Sequence, residues 1–156
     1  GNHSRTTIKV QFANEQAMSY ETIMYYNLEE MFSKEKRVEF RIADSYRSFH
    51  TFYDNYTICF EHGHSVKYLG GIGGLAVPLR RALYTISNNN PADLYCMGHH
   101  HTYLDIGNCI VNGSLIGFNT YAVYKNLPYE RPKQAFFLIS KKYNCKTVTT
   151  PILFTN

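Results

Sequence analysis

Apolar positions recur at helical spacing between about residues 12 and 32. There Ala17, Met18, Met24, Leu28, Met31 and Phe32 form a stripe whose phase drifts along the helix. Ser33-Lys34-Glu35-Lys36 reads as the exit, and residues 38–43 alternate weakly, as a short strand would. Tyr46 to Tyr53 is aromatic-rich, Asp54-Asn55 supplies turn chemistry, and Tyr56-Thr57-Ile58-Cys59-Phe60 is an apolar run, which together predict a hairpin with a buried second strand. Leu75 to Ser87 predicts a helix with Pro78 in its first turn, ended by Asn88-Asn89-Asn90-Pro91. Leu94-Tyr95-Cys96-Met97 reads as a short buried strand, residues 105–108 as a turn, Cys109-Ile110-Val111 as an apolar run entering Asn112-Gly113-Ser114, and residues 135–140 and 147–153 as late strands turning near Asn144. This order of elements predicts a layered α/β fold with strands covered by helices.

The length of 156 residues suits one domain, residues 1–156, large enough to bury a core. At 44% hydrophobic and 18% charged residues, the composition excludes a disordered chain. A formal charge of +4 permits an anionic substrate, but Arg80-Arg81 and Lys141-Lys142 are only pairs, not a nucleic-acid-binding arm. Cys59, Cys96, Cys109 and Cys145 form no CxxC pair, which argues against a zinc ribbon and fits a reduced, cytoplasmic compartment. No apolar run reaches membrane-spanning length and no signal peptide is evident, so no membrane partner is expected. The opening Gly1-Asn2-His3, without an initiator Met, reads as the loss of an N-terminal segment.

Histidine placement changes the picture most. Six of the seven lie in three clusters: His3; His62 and His64; and His99, His100 and His101. Two clusters directly follow predicted buried strands, where layered α/β proteins commonly bind ligands. Imidazole is the commonest side-chain metal ligand. In an extended segment residues i and i+2 point the same way, so His99 and His101 would face one site and His100 elsewhere. Gly63 and Gly98 remove side-chain bulk beside that site. His50 falls outside every cluster and reads as an ordinary strand or surface residue.

In order along the chain stand GNH at 1–3, EHGH at 61–64, GHHH at 98–101 and NGS at 112–114. The series resembles the later motifs of the calcineurin-like metallophosphoesterases: G-N-H-[D/E], a strand ending in His, and G-H-x-H followed by an N-[P/G]-G-S turn. The resemblance implies that the chain is the C-terminal portion of a four-layer α/β/β/α sandwich. It implies two divalent metal ions, Mn by preference with Fe, Zn or Ni as alternatives, bridged by a hydroxide that hydrolyses a phosphoester. By that resemblance Asn2, His62 and His99 would hold one ion, His101 would reach the other, and His64 is a reserve ligand in place of His62. His3 would be the catalytic acid or transition-state stabiliser, and Arg5 would grip a substrate phosphate. Compact relatives with H-G-H loops, many from bacteria and phages, tend to be phosphodiesterases, which points to a phosphodiester substrate, with nucleic acid or a nucleotide among the candidates.

Two departures from the family pattern stand out. D-x-H and G-D, which would bring one metal's main ligands and the bridging carboxylate, do not occur, so the chain carries about half a site and a missing N-terminal segment would supply the rest. Ser4 replaces the carboxylate that would orient His3. Among weaker signals, 70–74 (GGIGG) reads as a mobile loop rather than a phosphate cradle. Glu61 could orient a ligand or face the surface, Asn112 could be a site residue or a turn former, and Tyr68, Tyr103 and Tyr121 are stacking candidates with little to choose between them. Two further classes stay open: a non-catalytic binding or structural subunit that keeps the fold, and a mononuclear His-metal hydrolase or structural zinc site with His64 as an additional ligand. Oligomeric state is left open.

Overall fold

The structure, a computed structural model, describes residues 3–8, 19–43, 45–68 and 72–154. The chain divides into two compact units, Gly1–Ser48 and Phe49–Asn156. In the first, helix α1 spans Tyr20–Met31 and is capped by Ser19, whose hydroxyl accepts from the Thr22 N–H at 3.4 Å. An isolated antiparallel bridge joins Arg5 to Ser19, and the Tyr20 N–H donates to the Ser4 carbonyl at 2.9 Å. The expected helix start near Phe12 lies outside the described residues. No α1 residue is buried, so Met24 and Met31 of the apolar stripe stay at the surface. The strand expected at 38–43 does not form. Its charges pair locally instead, Arg41 with Glu39 at 2.8 Å, and a weakly alternating segment without a ladder partner gains nothing by extending.

The second unit is α/β. Strands β1 (Arg47–Phe52), β2 (Tyr56–Glu61), β3 (Leu94–Met97), β4 (Leu104–Asp105) and β5 (Cys109–Val111) form one sheet in the order β1-β2-β3-β5-β4. β2, β3 and β5 run parallel, and β4 is antiparallel to β5. β6 (Lys133–Ser140) and β7 (Cys145–Leu153) form a separate antiparallel pair. The central parallel strands are apolar on both sides because both sides are covered. Helix α2 (Ala76–Asn89) lays Leu79, Leu83 and Ile86, an i, i+4, i+7 stripe, with Cys59, Tyr95, Met97, Cys109 and Val111 in one core cluster. On the other face Tyr56, Ile58, Leu94 and Ile110 meet Ala135, Phe137 and Ile139 of β6. The layers of this unit are therefore helix, sheet, sheet. Two elements went unanticipated, β4 and the short helix α3 (Thr120–Tyr124).

Polar clamps fix the edges of these layers. The Thr57 N–H donates to the Asp93 carboxylate at 2.7 Å while the Asp93 N–H returns to the Thr57 carbonyl at 2.9 Å. The buried Tyr95 hydroxyl donates to the Asn90 carbonyl at 2.8 Å, tying the end of α2 to β3. Asp105 of β4 accepts from Lys146 of β7 at 2.7 Å, with both side chains mostly covered. Burial pushes the Asp105 carboxyl upward, but Lys146, the Gly107 N–H and Thr149 outweigh it and hold the carboxyl below its usual value. A depressed carboxyl stabilises the fold above its unfolded pKa, about 3.9, and that contribution is lost as pH falls through the folded value. Asp105→Asn should therefore lower stability by about 1–2 kcal/mol at pH 7 and flatten the decline below pH 4, as read by thermal melts across pH.

Candidate metal centre

Because β2, β3 and β5 are parallel, their C-terminal ends share one edge of the sheet. Glu61 lies opposite Met97, and Met97 opposite Val111. Backbone bonds carry the alignment past the strands: the Gly98 N–H donates to the His62 carbonyl at 3.1 Å, and the Asn112 N–H to the Met97 carbonyl at 2.7 Å. The EHGH, GHHH and NGS segments are thereby set side by side.

The His62 and His99 rings meet, with centroids 5.0 Å apart and His99 Nδ1 lying 3.2 Å from His62 Nε2. His64 is 5.5 Å from His62 and 6.0 Å from His99, ring to ring, and His100 is 5.2 Å from His99. All these histidines are half-buried.

The GHHH loop is not extended. His99 has φ +69°, and the His100 N–H reaches back to the Gly98 carbonyl at 2.8 Å, an i to i+2 bond that makes His99 the centre of a strained γ-turn. His101 is also left-handed, with φ +56°. The alternation argument for His99 and His101 therefore does not apply, and the His101 ring rests against Tyr121 at 5.5 Å. Left-handed backbone at two consecutive-but-one bulky residues is uncommon and gathers at functional sites. His100 is half-buried. Its Nε2 is buried without a hydrogen-bond partner, as is His101 Nδ1. Burial lowers the His100 pKa, a hydrogen bond with the Gly63 backbone opposes the shift, and His101 adds to it.

Around this cluster, Glu61 has both carboxylate oxygens buried and lines a cavity of about 290 Å³ with Cys96, Asn112 and Phe137. Burial pushes the Cys96 thiol up to about 12, so it is no nucleophile at neutral pH. Asn112 acts as a clamp: its Oδ1 accepts from the Ala135 N–H and its Nδ2 donates to Gln134, both at 2.8 Å, which ties the β5 exit to β6. Nothing in the sequence marked Gln134 as its partner. Asn2 lies outside the described residues. His3 and Arg5 belong to the first unit, where His3 is exposed and the Arg5 guanidinium donates to the Ile8 carbonyl at 3.1 and 3.3 Å. His50 lies in β1 with its ring edge-on to Phe60.

Two nitrogens 3.2 Å apart match adjacent donors on one ion with bonds of about 2.1 Å. The pair fits a divalent transition metal in separation and in chemistry. Among the described residues no three His, Cys, Asp or Glu side chains are already arranged around one ion. No helix among the described residues is long and apolar enough to cross a membrane.

No protein-family model matches the chain, and no curated protein matches it. Among solved structures it is similar to Vps29 from Entamoeba histolytica. A single-mutant form has 16% identity and a TM-score of 0.47 over 75% of this chain, which spans 65% of that one. The wild type complexed with Zn²⁺ has 16% identity and a TM-score of 0.46 over 76% of this chain and 68% of that one. A double mutant has 16% identity and a TM-score of 0.41 over 83% and 75%.

Proposed function

We propose that the chain is the metal-binding portion of a metal-dependent phosphoester hydrolase, with a phosphodiester as substrate. The observation that carries this reading is the His62–His99 nitrogen pair, 3.2 Å apart at the C-terminal ends of adjacent parallel strands. When bound, divalent ions supply Lewis acidity toward a phosphoryl group and a nucleophile at neutral pH. The protein's part is to hold the two imidazoles on rigid strand ends and to keep the γ-turn at His99 from relaxing. His101 as ligand to a second ion, Asn2 as ligand, His3 as acid and Arg5 as phosphate contact rest on the motif resemblance alone, as do Mn²⁺ and a nucleotide or nucleic-acid substrate.

A second reading, a non-catalytic binding subunit with this fold, is favoured by the His101 ring lying against Tyr121. The two readings separate in one assay. Mn²⁺-dependent hydrolysis of a generic aryl phosphodiester is expected when residues 1–156 are joined to a segment carrying D-x-H and G-D, while residues 1–156 alone stay silent. Turnover by residues 1–156 would overturn the half-site argument. A joined protein that binds metal yet hydrolyses neither diester nor monoester would favour the binding subunit.

A further inference from the structure

The second unit presents three imidazoles, not two, to one small volume. The His62, His64 and His99 centroids form a triangle with sides of 5.0, 5.5 and 6.0 Å. Three imidazoles on one tetrahedral ion with bonds of about 2.1 Å place their ring centroids about 5 Å apart. The shortest side already has that length, and the other two exceed it by no more than about 1 Å, within reach of a side-chain rotation at His64.

Local chain geometry explains why His64 joins the group and His101 does not. Gly63 sits at φ +98°, and the Val66 N–H closes a turn on the Gly63 carbonyl at 3.0 Å that has His64 at its first central position. This local bend holds the His64 ring 5.5 Å from that of His62. The left-handed conformation of His101 instead carries its ring to Tyr121.

We propose that His62, His64 and His99 form a one-metal site of their own, taking a single Zn²⁺ or Co²⁺ ion and leaving a coordination position open. The inference shares His62 and His99 with the reading above and replaces His101 by His64 as the third donor. Three neutral imidazoles without a carboxylate favour Zn²⁺ or Co²⁺ over Mn²⁺. Three protein ligands with one vacancy is also the arrangement of catalytic rather than structural zinc. Because no three donors are arranged around one ion beforehand among the described residues, binding draws His64 inward. The ion should therefore raise the melting temperature as it binds.

The test is titration of residues 1–156 with Zn²⁺ by calorimetry and with Co²⁺ by visible absorption. Thermal melts of each variant establish that it is folded. The expected result is one ion per chain, with a tetrahedral Co²⁺ spectrum. His64→Ala and His64→Gln should each lose at least about 100-fold in affinity, since removing even an outer-sphere partner costs 10–100-fold. His101→Ala should stay within about threefold of wild type; His64→Gln serves if the alanine variant does not fold. Unchanged binding in both His64 variants, with loss in His101→Ala, would overturn the inference and leave the phosphoesterase ligand set standing. Two ions per chain held without His64 would do the same. A folded wild type that binds neither Zn²⁺ nor Co²⁺ would overturn this site and the His62–His99 pair together.

Discussion

His62→Ala should cost the chain at least about 100-fold in divalent-metal affinity, His99→Ala the same, and His50→Ala nothing measurable. The reason is positional. His62 and His99 follow the last residues of two strands whose register is fixed by the pairing of Glu61 with Met97 and by the Gly98–His62 backbone bond at 3.1 Å. Their nitrogens face each other at 3.2 Å, so each ring is half of a donor pair close enough to share an ion. Loss of either breaks that pair and leaves His64 with a single partner, an arrangement that holds a divalent ion far more weakly. His50 lies in β1 with its ring against Phe60 and serves as a control for the general effect of removing a histidine. Calorimetric titration of the folded variants decides the matter. Equal affinity in His50→Ala and His62→Ala would show that any bound ion sits elsewhere. In residues 1–156 joined to a segment carrying D-x-H and G-D, the same two substitutions should abolish turnover and His50→Ala should not.

The parts of this arrangement that could be read from sequence are those fixed by short apolar runs. The runs 56–60 and 94–97 are too short for helices and too apolar for loops, and each forms a strand that is largely buried; the apolar run 109–111 proves to be a third, wholly buried one. Glycine and histidine immediately after two of them placed the cluster correctly at the strand ends. What stayed hidden depends on contacts made from far along the chain. β4 is two residues long and exists because it borders β5, and α3 is a five-residue turn capped by Asn119. The 38–43 segment alternates much as a strand does but has no partner. The conformation of the GHHH loop was least legible. Histidine carries no signal for a γ-turn, so an extended segment was the natural expectation, and two left-handed residues moved His101 to Tyr121. The Asn112–Gln134 clamp spans 22 residues and leaves no trace in local pattern.

Gly63→Ala should cost about 2–3 kcal/mol in urea unfolding and weaken metal binding in the molecules that remain folded. Two independent penalties combine there. The backbone sits at φ +98°, beyond the left-handed well that an L-residue tolerates best, and a Cβ would lie 3.2 Å from the Gly98 carbonyl oxygen and 3.2 Å from Met97 Cβ. Neither neighbour can yield freely, because Met97 is buried and paired with both β2 and β5, and Gly98 is bonded to His62. Relief must come from separating the two loops that bring His62 and His99 together. Gly74→Ala isolates the first penalty: its φ is +56°, within the left-handed well, and a Cβ there would meet nothing within 4 Å. That variant should lose only about 1 kcal/mol and keep its metal affinity. If the two variants prove equally stable and bind equally well, the close packing of the EHGH loop against the GHHH loop is not what positions the histidines, and their proximity must be set by the strands alone.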